Sequence, residues 1–137
     1  MKKTWYNLLP ILMFPIGLIA QGTTNIKTVN TDIEVWIKKS FAKKAIPPFS
    51  FVYNGKSSAT FITKWGYSVT KKAPGEAGVL HYEFNYQEPE NGLLVTCDVK
   101  GFTSFNAVEW VLRFKNNASA QSGIIEQVKA TDLNFVY

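Results

Sequence analysis

From Val79 onward the apolar residues recur at every second position over three successive runs. Leu80, Tyr82, Phe84 and Tyr86 fall on one face of the run from Val79 to Tyr86. Leu93, Val95, Cys97 and Val99 do so in the run from Leu93 to Phe102, and Val108, Trp110, Leu112 and Phe114 in the run from Asn106 to Lys115. Glu109, Val111, Arg113 and Lys115 occupy the opposite face of the third run. A period of two is the signature of a half-buried strand, because successive side chains leave a pleated backbone on opposite sides. Asn91-Gly92 is a favoured hairpin dipeptide and joins the first two runs.

The same reasoning extends upstream and downstream. Phe49, Phe51 and Tyr53 alternate with Ser50 and Val52 ahead of Asn54-Gly55, a second turn signal. Tyr67 to Thr70 reads as extended, Ala59 to Trp65 as a strand or an irregular crossover, and Ile124 to Phe135 as a final extended run. The loop from Lys71 to Gly78, with two glycines and a proline, is a strong break, and Pro47-Pro48 ends whatever precedes it. Ile33, Val35 and Ile37 alternate with Glu34, Trp36 and Lys38, which predicts a strand; a short helix capped by Asp32 competes with it. Thr23 to Asn30 is polar, a loose lead-in or first edge strand. Consecutive short strands without intervening helices predict an all-β, antiparallel β-sandwich.

The first residues follow a different logic. Lys2 and Lys3 precede an apolar stretch from Leu8 to Ile19 interrupted by Pro10, Pro15 and Gly17, too short and too broken to span a bilayer. Ala20 and Gly22 satisfy the small-x-small rule for cleavage after Gly22, with cleavage after Ala20, where Leu18 is bulky, as the alternative; residues 1–22 are therefore expected to be a signal peptide and 23–137 one small domain. Export to the periplasm or beyond follows, with no membrane attachment once the leader is removed. The formal charge of +5 falls to +3 without Lys2 and Lys3, since the leader holds no acidic residue. Lys38-Lys39, Lys43-Lys44 and Lys71-Lys72 are then better read as solvated loop and edge lysines than as a nucleic-acid surface. Cys97 is the single cysteine; it alternates with apolar neighbours and reads as a buried small hydrophobe.

Residues 92–133, GLLVTCDVKGFTSFNAVEWVLRFKNNASAQSGIIEQVKATDL, together with residues 48–58, PFSFVYNGKSS, resemble the N-terminal β-sandwich of bacterial α-galactosidases, the melibiase-type glycoside hydrolases. The resemblance covers roughly residues 31–135. It implies a galactose-mutarotase-like supersandwich, α-galactoside substrates, cofactor-free retaining hydrolysis and a domain that packs against a catalytic barrel or between subunits. In the resembling enzymes the sandwich continues and a (β/α)-barrel with two catalytic aspartates follows. No position of this chain matches those aspartates, so the expectation is an incomplete N-terminal domain, a fragment or early-stopped product without catalytic residues.

The remaining candidates for chemistry are sparse. Glycosidic cleavage needs two carboxyl groups across the bond. Glu83 near Glu88 and Glu90, or Asp98 near Glu109, share strands, and Glu88 and Glu90 flank Pro89 in a turn where exposure is expected. His81 is the single histidine, so neither a metal nor a cofactor site is expected. Aromatic residues make up 15% of the chain, which raises recognition of sugar C–H faces. Trp110 alternates with apolar neighbours and is expected in the core, whereas Trp65, between Lys64 and Gly66, and Trp36, sharing a face with Glu34 and Lys38, are the candidate carbohydrate contacts, with burial against a missing half-domain as the equal alternative. The expected partners are therefore an α-galactoside glycan or a separate catalytic barrel, with a homo-oligomer as a further expectation. A free-standing secreted carbohydrate-binding β-sandwich is the alternative function.

Overall fold

A computed structural model describes residues 32–133 except 74 and 91. The expected leader, the lead-in before Asp32 and the end of the last run lie outside the described residues. The elements are α1 (Asp32–Ser40), β1 (Ser50–Tyr53), β2 (Lys56–Ser57), two 3-10 turns (Ser58–Thr60 and Ile62–Lys64), β3 (Gly66–Lys71), β4 (Val79–Gln87), β5 (Leu93–Phe102), β6 (Ala107–Asn116) and β7 (Ile125–Lys129). The described chain is thus mostly antiparallel sheet with one short helix, in agreement with the all-β expectation. No described helix is long and apolar enough to cross a membrane.

β3, β4, β5 and β6 form a four-stranded sheet in chain order, and β2, β1 and β7 form a smaller one. Alternation sets the register of the large sheet. Tyr86 pairs with Val95 and Val95 with Phe114, Phe84 with Cys97 and Cys97 with Leu112, so each pairing keeps apolar side chains on one face. Tyr82, Phe84, Tyr86, Leu93, Val95, Cys97 and Val99 are buried there. β1 and β2 close a hairpin through Asn54 and Gly55, both at positive φ (49° and 73°), the conformation that two-residue hairpin loops require.

The segment from Asp32 is a helix, and the strand reading is corrected. Ile33, Glu34, Ile37 and Phe41 are buried, a spacing that belongs to one helical face, whereas Val35 is half exposed. Asp32 and Glu34 lie in the first turn and Lys38 and Lys39 in the last, complementing the helix dipole. The helix lies over β5 at Gly101. A Cβ on Gly101 would stand 2.7 Å from Ile37 Cδ1, so any larger residue there would require the tip of the Ile37 side chain to shift.

Aromatic side chains join helix and sheets. Phe41 stacks on Phe84 (centroids 4.9 Å apart) and meets Trp110 edge-on at 5.9 Å. At the other end Phe51 of β1 meets Phe114 of β6 at 5.3 Å, and Phe49 meets Tyr86 at 5.8 Å. Side chains of the small sheet therefore share a core with the inner face of the large one. Trp110 is half buried on that face and donates its indole N–H to the Ala130 carbonyl at 2.6 Å. Ala59 to Trp65 takes the irregular crossover form, as two 3-10 turns.

Candidate functional site

The polar groups gather in two places: the outer face of the large sheet and the seam beneath α1. On the outer face, β4 presents His81, Glu83, Asn85 and Gln87; β5 presents Leu94, Thr96, Asp98 and Lys100; β6 presents Glu109, Val111, Arg113 and Lys115. Pairing of β4 with β5 sets Glu83 directly opposite Asp98. Two like charges across a strand pair repel unless cations intervene. Here Lys72 Nζ bonds to Glu83 Oε2, His81 Nε2 lies 2.5 Å from Asp98 Oδ1, and Arg113 Nη1 lies 3.0 Å from Asp98 Oδ2. Asn85 Nδ2 donates to the second Glu83 oxygen at 3.2 Å, and Thr96 Oγ1 donates to Asn85 Oδ1 at 2.7 Å.

The electrostatic result is a neutralised couple. The Lys72 ammonium, aided by Asn85, holds the Glu83 carboxyl below its usual range. Partial burial works against ionisation of Asp98, but the hydrogen bonds from His81 and Arg113 outweigh it and hold that carboxyl low as well. Beside the couple is a shallow depression of about 610 Å³ lined in part by Tyr67, Ser68, Glu83, Asn85, Thr96 and Arg113. Among the described residues no group of three or more His, Cys, Asp or Glu side chains is placed to hold a metal ion.

The second gathering fastens the helix. Glu34 is buried and accepts hydrogen bonds from the Tyr82 hydroxyl (2.5 Å), from Lys38 Nζ (3.0 Å) and from Lys71 Nζ (3.1 Å). The Tyr82 and Lys38 bonds carry most of the effect that lowers its carboxyl to about 2. Lys71 also lies over the Tyr82 ring, 5.4 Å from its centroid. This arrangement keeps one carboxylate charged at the edge of the core.

The residues singled out from the sequence are dispersed. Trp65 is buried, 7% exposed, and stacks on Phe61 at 4.9 Å with Phe51 and Tyr53 around it. Of the two readings of Trp65, platform or packing, the ring's position in the core fits packing, while its neighbours Lys64 and Gly66 stay exposed. Trp36 is half buried, with Trp110 at 6.2 Å and Phe41 at 6.3 Å. Trp36 and Trp65 belong to opposite ends of the aromatic core and form no common surface. Glu88, expected in solvent, is buried, with its backbone N–H bonded to Leu93 O at 2.8 Å. Glu109 meets Lys100 of β5 at 3.7 Å. Cys97 is fully buried, as read from its alternation, and burial pushes its thiol well above its usual range. The Glu83 and Asp98 pairing escaped the sequence reading because it depends on the β4–β5 register. Counting outward from Asn91-Gly92 was the signal available. Comparison with family models, curated proteins and solved structures returned no match.

Proposed function

We propose that this chain is a non-catalytic β-domain of an exported, α-galactosidase-like glycoside hydrolase, supplying packing or subunit contacts for a catalytic barrel carried elsewhere. In this reading the two sheets belong to a galactose-mutarotase-like β-sandwich, residues 1–22 are its leader and the resemblance of residues 48–58 and 92–133 supplies the family. The observation that carries the non-catalytic role is the state of the Glu83–Asp98 couple. Glycosidases require one carboxyl held protonated to donate to the leaving oxygen. Lys72, His81 and Arg113 favour the opposite condition, keeping both groups anionic. The carbohydrate-binding alternative has less support, because the ring of Trp65 is spent in packing and Trp36 leans on Trp110 and Phe41.

The test is hydrolysis of a nitrophenyl α-galactoside by the purified chain. The expected result is release no faster than in buffer. Turnover that disappears in Glu83→Gln or Asp98→Asn would instead make the couple a catalytic pair and overturn the assignment.

A further inference from the structure

The large sheet ends on β6, a ten-residue strand with no strand on its far side among the described residues. Its pairing with β5 runs without a shift from Ala107 to Asn116, so no bulge twists the edge away. It contains neither proline nor glycine, and the inward residues Val108, Trp110, Leu112 and Phe114 carry no charge. A bulge, a proline and an inward charge are among the devices that blunt an open edge, and β6 has none of these three; the charges it does carry, Glu109, Arg113 and Lys115, all stand on the outward face. On the outward face Val111 is 54% exposed between Glu109 and Arg113, themselves exposed.

We propose that a second copy of this chain pairs with β6 in antiparallel fashion, about a two-fold axis at Val111. The argument is charge and shape complementarity of the strand with itself. Reversing the strand about Val111 sets Glu109 of each copy opposite Arg113 of the other, and Val111 against Val111. On the inner face the same register sets Trp110 opposite Leu112 and Val108 opposite Phe114. Both faces keep their character, as pairing without a face flip demands. Each cross-strand ion pair would prolong existing contacts of alternating sign, since Arg113 already holds Asp98 and Glu109 already meets Lys100. The interface is isologous and closes after two copies. This partner deepens the subunit-contact role proposed above and rests on it for its purpose. It does not depend on the glycosidase resemblance, so hydrolysis and assembly assays fail separately.

The test is sedimentation equilibrium of the full chain from about 100 µM to about 1 µM, with thermal melts confirming that each variant is folded. The expected result is a monomer–dimer equilibrium that Val111→Lys weakens by about tenfold or more. Glu109→Arg alone should weaken it as well, by setting two arginines opposite one another. Combining Glu109→Arg with Arg113→Glu should recover association, since the charges then match again. A chain that stays monomeric throughout the range overturns the proposal. So does a dimer indifferent to Val111→Lys, or one that the double exchange fails to restore.

Discussion

The two edges of the large sheet solve the same problem differently. β3 spans six residues and is pinned at both ends. Trp65, immediately before it, is locked among Phe51, Tyr53 and Phe61, and Lys71, its last residue, lies on the inner-face side and, still more than half exposed, reaches Glu34 at the edge of the helix. An inward-pointing charge on an edge strand makes continuation of the sheet costly, because another strand would have to bury it. β6 is longer, regular, apolar on its inner side and self-complementary in charge on its outer side. The difference teaches that an exposed edge is informative only beside a guarded one: among the described residues β3 is shielded and β6 is left open.

The largest expected effect tests the anchoring of the guarded edge. Trp65→Ala removes a buried ring with three aromatic neighbours and should lower unfolding free energy by about 3–5 kcal/mol, measured by urea denaturation. A loss below about 1 kcal/mol would place the ring outside the core and return it to the surface role expected from sequence.

Glu34→Gln should cost about 1–3 kcal/mol at neutral pH, towards the lower end because Lys38 and Lys71 are more than half exposed and screened. The folded carboxyl lies at about 2, below its ordinary 4.5, so its contribution is present in full above the ordinary value and fades as pH falls toward 2. The stability gap between the parent chain and Glu34→Gln should therefore be constant above about pH 5 and close progressively in acid. A gap that widened on acidification would contradict the assigned charge state.

The smallest effect on stability carries the most information about the edges. Lys71→Val should change unfolding free energy by no more than about 1 kcal/mol, while making β3 resemble β6. With two open edges instead of one, association no longer closes at two copies, and light scattering should rise with concentration beyond that of the parent chain. Unchanged scattering would mean that β3 is guarded by something other than the lysine.

The legible parts of the fold were those governed by neighbours along the chain. β4, β5 and β6 repeat the alternation over nine or ten residues, and Asn54-Gly55 and Asn91-Gly92 mark turns by their tolerance of positive φ. The helix was not legible in the same way. At Ile33 and Ile37 a period of two and a helical period coincide, and the difference rests on Val35, which turns outward, and on Glu34 and Phe41, whose burial depends on distant Tyr82, Lys71 and Phe84. Trp65 was ambiguous for a related reason: Lys64 and Gly66 beside it give no apolar alternation, and only the two 3-10 turns before it aim its ring at Phe61 and Phe51. The opposition of Glu83 and Asp98 required a register, which single strands do not reveal.

Site-resolved amide hydrogen exchange across a dilution series tests the contrast between the edges most directly. The amides of β6 from Val108 to Lys115 should exchange more slowly as concentration rises, while those of β3 from Gly66 to Lys71 keep one rate throughout. Concentration-independent exchange along β6, or protection gained by β3 in its place, would contradict the account.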